Sequence, residues 1–406
     1  MNLLRHNKTY RSLLSASLLN ALGASLMNLV FLVYASTYAH AKFYISLSAI
    51  IMILPILIAP YIGLLADRSQ HKAAKLIEAS WAQGLLYVLS AILITQKSVI
   101  IFVSLALINL LGDCLAQYKD GLRSPMIQKN ISEENLQQAF GTIQSVSTIM
   151  TIVGQPLGIL LLTVTNQSYQ LVSLANALCY FLSGIILWRS RQHLTYLFLK
   201  STAIAKHSLA DAFQQLKKLL GQDDDKGFFI LLGVIISINF VFAGIGPMLD
   251  LTMLDSQRWG LSYSVAIMLL NVVFSTGLVL GGLLTKDIFQ KFEFSNLLLL
   301  ILLLTISFCL TLNRILPLAI LLLFMLSYTI AKINPKMQAL LMANVPSEKL
   351  GVVGGSIQTI AAIGVPLGSV CFIFLTNLTT ANLTLNVMAI LTTLIFGILL
   401  SNSKRH

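Results

Sequence analysis

The chain has 406 residues, 56% of them hydrophobic and only 10% charged, and its mean hydropathy is +0.83. Soluble domains carry about 25% charged residues, so the composition excludes a water-soluble globular protein and implies an integral membrane protein. The formal charge of +12 is spread over loops and not gathered on one patch or helix face, which argues against a nucleic-acid partner and makes charge a report on topology.

Crossing a hydrocarbon core of about 30 Å takes roughly 20 residues. Twelve apolar runs are long enough: 12–36, 43–65, 76–95, 98–119, 138–164, 168–188, 227–249, 261–285, 295–313, 315–333, 352–376 and 381–401. The first is much longer than the ~7–15-residue apolar core of a signal peptide, so a membrane helix is expected there. The long polar segment 189–226 separates a bundle of six helices at 1–188 from another at 227–406. The expected fold is therefore an all-α membrane protein with twelve transmembrane helices in two pseudo-symmetric six-helix bundles. Within the polar segment, Ser208 and Asp211 have capping-box spacing, and Leu209, Phe213, Leu216 and Leu220 form an apolar stripe beside Lys217 and Lys218. That pattern predicts a helix lying on the membrane surface.

Lys and Arg fix the expected orientation. Twenty-three of the 27 fall on one side, leaving Lys42, Lys97, Arg258 and Arg314 on the other. Basic loops stay in the cytoplasm, so both termini are expected to be cytoplasmic, in a cell membrane. The cysteines Cys114, Cys179, Cys309 and Cys371 lie inside apolar runs, far apart in sequence, which speaks against a disulfide framework or zinc site. None of the six histidines is mid-span, and no nucleophile-base constellation or phosphate loop occurs. Neither a cofactor nor a metal is expected, and enzymatic chemistry is not.

The halves repeat each other. Asn130–Ser145 (NISEENLQQAFGTIQS) aligns without gaps on Asn344–Thr359 (NVPSEKLGVVGGSIQT), VGQPLG at Val153 recurs as IGVPLG at Ile363, and NLVF at Asn28 recurs as NFVF at Asn239. Gly154, Pro156 and Gly158, and again Gly364, Pro366 and Gly368, place small residues one turn apart around a proline. This predicts close helix packing and a kink in both helices.

An ionisable group inside a membrane is costly and is a functional hypothesis by default. Asp113 lies seven residues before Asp120, roughly 10 Å deeper in the bilayer. Asn109, Asp113, Gln117 and Asp120 share an arc of about 80° on the fourth span. Two readings of Asp113 stand side by side. As a desolvated carboxyl it could take up and release a proton; as a structural group it would be satisfied by Asn109 and Gln117. Glu78, three residues after Lys75, is a second candidate for coupling or else pairs with that lysine. Asn20 and Asn28 on the first span, Asn109 and Gln117 on the fourth, and Asn239 on the seventh, the apparent partner of Asn28, are candidates for lining a substrate cavity or for bonding between helices.

The loop Gly63–Lys75, GLLADRSQHKAAK, with Asp67 and Arg68 before Lys72 and Lys75, resembles the signature loop between helices 2 and 3 of the major facilitator superfamily of secondary transporters. A degenerate copy, Gly282–Asp287, occupies the corresponding place in the second half, and Gly154–Gly158 is similar to a helix 5 motif of exporters in that family. Its helix 4 motif begins with an arginine, where this chain has Asn109 three residues before Gly112. That departure puts a copied proton relay in doubt and shifts the weight to Asp113. The resemblance implies that Gly63, Asp67, Arg68, His71 or Lys72, and Asp120 form a latch holding the two halves in an outward-open state. Together with Arg123-Ser124-Pro125, the layout looks most like bacterial macrolide-efflux-type exporters. The implied function is proton-coupled export of small amphipathic compounds by a monomer, with a small-molecule substrate, the proton and the lipid bilayer as partners. An importer or uniporter of a polar solute, or a receptor that keeps the fold without moving a solute, are the alternatives.

Overall fold

The computed structural model describes residues 7–194, 225–284, 287–344 and 350–403; the surface helix expected at 208–220 lies outside them. The described residues form twelve long helices and contain no strand: α1 Lys8–Ser36, α2 Ala41–Arg68, α3 Lys72–Leu93, α4 Val99–Asn130, α5 Glu133–Val164, α6 Tyr169–Arg189, α7 Asp225–Thr252, α8 Tyr263–Leu283, α9 Phe294–Thr311, α10 Leu316–Asn344, α11 Leu350–Leu378 and α12 Ala381–Ser403. Eleven are long and apolar enough to cross a membrane, and α11 contributes the apolar stretch Gly364–Leu378. Without water in the bilayer core, each backbone amide must be satisfied inside its own segment. That requirement is why runs this apolar become helices whatever their residue propensities.

Local signals set the helix ends. Asn7 accepts from the amide of Tyr10 at 2.9 Å and so caps α1, while its own Nδ2 donates to the carbonyl of Asn130 at 2.6 Å, tying the start of α1 to the end of α4. Ser98 and Ser168 cap α4 and α6 in the same way. Both α4 and α5 run well past the expected membrane boundary, to Asn130 and from Glu133. The helices continue there because their polar turns still pack, Tyr10 of α1 donating to the carbonyl of Ala139 on α5 at 3.0 Å.

Of the described residues, α1 to α6 form one compact unit, and α7 to α12, apart from Tyr263–Met268 at the start of α8, form the second. The interior of the first unit is layered. Nearest the α2–α3 loop is an apolar layer that includes Leu13, Ala66, Leu122, Met126 and Ile143. At the opposite end is an aromatic layer in which Phe102 stacks on Phe31 at 5.6 Å and meets Tyr44 edge-on at 4.6 Å, while Tyr34 meets Tyr169 at 5.1 Å. Between these two lies a polar layer.

Glycines close the helix pairs. A side chain added at Gly154 would meet Ser25 and Leu22, and one at Gly158 the carbonyl of Leu26, so α5 lies directly on α1. In the second unit Gly364 faces Ile236 and Asn239, and Gly368 faces the carbonyl of Phe240, so α11 lies on α7 in the same manner. Leu22 to Ile236, Ser25 to Asn239 and Leu26 to Phe240 are each 214 residues apart. Asn239 therefore corresponds to Ser25 and not to Asn28, which corrects the pairing expected from NLVF and NFVF. A shift of three residues returns to nearly the same helix face, which is how the false match arose. The side chains of the repeat at 344–359 lie outside the described residues. Pro156 and Pro366 both sit inside continuous helices.

Candidate functional site

The polar layer of the first unit is built by α3, α4 and α6. Gln83 of α3 donates to the carbonyl of Gly112 on α4 at 2.7 Å, and the hydroxyl of Tyr87 donates to Oδ1 of Asn109 at 3.3 Å. Asn109 spends its own Nδ2 on Leu105 at 3.0 Å, so it is committed inside the bundle. Tyr87 lies parallel to Tyr180 of α6 with ring centroids 5.4 Å apart, and Ser173 of α6 donates to the carbonyl of Tyr87 at 2.9 Å. Asp113 stands beside Tyr87 and Tyr180, close enough to interact with both electrostatically. Among the described residues its carboxylate has neither a hydrogen bond nor an ion pair. Asn109 and Gln117, its expected structural partners, do not satisfy it. Oε1 of Gln117 is itself buried without a partner, as are Oδ1 of Asn20 on α1 and Oε1 of Gln155 on α5. Asn28 is exposed, and Asn239 is partly buried and has a bonding partner.

The α2–α3 loop is held from within. Lys72 is buried, and its ammonium donates to the carbonyl of Ala66 and, at 3.1 Å, to that of Asp67. It thus satisfies carbonyls that the end of α2 would leave unpaired. Ser69 and Tyr118 of α4 share a hydroxyl contact of 2.7 Å. The side chains of Asp67, Arg68 and His71 are exposed, and Gly63 has open space where a side chain would be. Asp120 pairs with Arg123 at 2.8 Å rather than with His71 or Lys72. Arg123 also donates to Oγ of Ser17, joining α4 to α1. Glu78 is exposed and pairs with Lys75 at 2.7 Å.

The sequence profile of the Major Facilitator Superfamily matches residues 13–369. The chain belongs to that superfamily of transporters. No curated protein matches it. Among solved structures, it is similar to a bacterial homologue of the human lysosomal transporter Spinster in an inward-facing conformation, with a TM-score of 0.69 at 14% identity, over 98% of this chain and 96% of that one. The nucleoside transporter NupG gives 0.65 at 13% identity, covering 99% of both chains. The human organic anion transporter MFSD10 gives 0.60 at 16%, covering 97% of this chain and 99% of that one. At these identities the likeness concerns the fold alone.

In this major facilitator protein the second unit carries its own version of the loop anchor. Asp287, just after α8, accepts from Lys332 of α10 at 2.7 Å and from the hydroxyl of Tyr328, and caps a 3-10 turn through the amide of Phe289 at 3.1 Å. Lys332 also donates to the carbonyl of Leu284. As Lys72 does for α2, it satisfies the end of α8, although it comes from a different helix. Burial disfavours the charge on Asp287, but the hydrogen bonds from Lys332 and Tyr328 outweigh it and hold the carboxyl below its ordinary value. A carboxyl lowered in the folded state stabilises the fold above its unfolded value, near 4, and loses that contribution as pH falls through the folded one. Asp287→Asn is accordingly expected to lower the melting temperature of the detergent-solubilised protein at pH 7, the deficit relative to wild type shrinking as the medium is acidified below the ordinary carboxylate range. A deficit that persists unchanged at low pH would show that the ion pair is not its source.

Sequence reasoning misses two groups in the membrane. Asp250 falls just outside the seventh apolar run, which closes at 249, yet α7 continues to Thr252. Like Asp113, it has neither a hydrogen bond nor an ion pair among the described residues. Lys119, at the very end of the fourth run, counts among the cytoplasmic cations by sequence. It is instead only 4% exposed, with Nζ lacking a hydrogen-bond partner and lying 4.9 Å from the ring centroid of Tyr180.

Proposed function

We propose that this chain is a proton-coupled exporter of small amphipathic compounds, of the macrolide-efflux type, working by alternating access. The observation that carries the proposal is the unpartnered carboxylate of Asp113, set in a polar layer inside a membrane bundle. A carboxyl group with no fixed counter-charge is free to exchange its proton, and desolvation makes its neutral form accessible. In this reading Asp113 is the coupling site. Glu78, tied to Lys75 at the surface, is a weaker candidate.

Buried, unpaired oxygens on Asn20 and Gln117 suit a substrate that brings hydrogen-bond donors, such as an amine, because buried acceptors without partners call for water or ligand. Exposed Asn28 belongs to the same proposed substrate surface. The α2–α3 loop, with Asp67, Arg68 and Lys72, acts as the conformational latch. The protein acts as a monomer in a cell membrane with both termini in the cytoplasm, its bundles at 1–188 and 227–406 joined by the segment 189–226.

The test uses inverted vesicles with an imposed proton gradient, acid inside, and a fluorescent lipophilic cation or a radiolabelled macrolide as probe. Gradient-dependent accumulation that collapses on adding a protonophore is the expected result. Uptake indifferent to the gradient would favour a uniporter instead. Binding of either probe without flux would favour a receptor.

A further inference from the structure

Asp250 lies inside the membrane span Ile236–Trp259 and has no part in the proton exchange proposed for Asp113. Its place on α7 follows from how that helix is held. Pro247 has no amide to offer the carbonyl of Ala243, four residues earlier, and Ser369 of α11 donates to that carbonyl instead at 2.7 Å. Around the proline, Gly244 packs on Phe372, and Sδ of Met248 lies 3.2 Å from the hydroxyl of Thr376, both partners again on α11. Gly246 stands two residues, or roughly 200° of turn, from each of them. It therefore occupies the opposite face, where it is exposed and an added side chain would meet nothing within 4 Å. Phe242 lies four residues before it on that face and Asp250 four after it, both partly exposed.

A ring and a carboxylate thus flank a gap that glycine keeps open, over about 12 Å of helix axis. Asp250 is not merely a charge at a frayed helix end, because Leu251, Thr252, Met253 and Ser256 beyond it are buried. A carboxylate within a membrane faces a partner cation or a cavity and not lipid. Among the described residues Asp250 has neither a hydrogen bond nor an ion pair, so the counter-charge has to come from a ligand. The geometry points to this face of α7 as a subsite for a lipophilic organic cation, its apolar body lying across Gly246 against Phe242 and its charge at Asp250. The ring adds to the attraction, since an aromatic face draws a cation as well as apolar surface. Such cations form one class within the amphipathic compounds of the export reading, on which this subsite rests.

The test is equilibrium binding of tritiated tetraphenylphosphonium, whose charge does not titrate, to the detergent-purified full chain at neutral pH, read by scintillation proximity. Asp250→Asn is expected to weaken binding about tenfold or more, as loss of an opposite charge in a poorly screened site requires. Asp250→Glu, which keeps the charge, should bind nearly as wild type does. Gly246→Leu, which fills the gap and leaves the carboxylate in place, should weaken binding by a comparable factor without lowering the melting temperature, and so guards against misfolding of the asparagine variant. Affinity that is unchanged in Asp250→Asn or in Gly246→Leu, lost equally in Asp250→Glu, or absent from wild type overturns the subsite. No gradient enters this measurement. Asp250-dependent binding without accumulation in vesicles would defeat export alone, and accumulation alongside Asp250-independent binding would defeat the subsite alone.

Discussion

Replacing Asp113 by asparagine is expected to reduce proton-driven accumulation in inverted vesicles to the level of vesicles lacking the protein. Each pH unit of gradient corresponds to a factor of ten in proton activity, so exchanging one proton across two units can sustain accumulation of up to about 100-fold. A carboxamide does not titrate and should bring that ratio to one. It is nearly the same shape, and no hydrogen bond is lost, because Asp113 makes none among the described residues. The variant should therefore fold, and should still exchange labelled for unlabelled probe when no gradient is imposed. Loss of both activities would point to a binding or folding role. Retained accumulation would move the proton site elsewhere, and Asp250, equally unpartnered, would be tested next.

Valine at Gly158 or at Gly368 is expected to have the largest effect on stability. At each position the added side chain would run into a backbone carbonyl, of Leu26 and of Phe240 respectively. A side chain can swing away from an intruder, but a helical carbonyl moves only if its helix does. Overpacking usually costs about 1–3 kcal/mol, and with rigid backbone as the obstacle the upper end or beyond is expected. The measurement is melting temperature and monodisperse yield in detergent. Gly246, whose added side chain would meet nothing within 4 Å, supplies the control, since Gly246→Ala should be neutral or slightly stabilising on helix propensity. Equal losses at Gly246 and Gly158 would refute the packing argument.

The twelve helices are legible because hydropathy records a solvent, and the bilayer leaves the backbone little choice. That record stops where the bilayer stops. It therefore omits the last turns of α4 and the first of α5, and cuts away the turn of α7 that carries Asp250. Glycine spacing points to close packing, since close approach depends on which side chains are absent, but it does not name the partners; α1 and α7 emerge as the helices facing these glycines only in the fold. The register of the repeat between α1 and α7 is misjudged, because four matching letters cannot separate offsets three residues apart when both fall on one face. Lys119 is beyond sequence reasoning for a different cause. A four-carbon stem can place its charge on either side of its own backbone, and only the packing around Tyr180 decides which.

The aromatic layer of the first unit has an electrical meaning. Phe31, Tyr34 and Phe102 are almost completely buried and fill the end of the first unit away from the α2–α3 loop with rings, the hydroxyl of Tyr34 being held by Tyr38 and the carbonyl of Gln96. A charge taken up by the polar layer in this arrangement would cross only part of the transmembrane field, and completing the passage would need the other state of the proposed cycle. With that cycle halted, a step in pH on the loop side would appear as a capacitive transient.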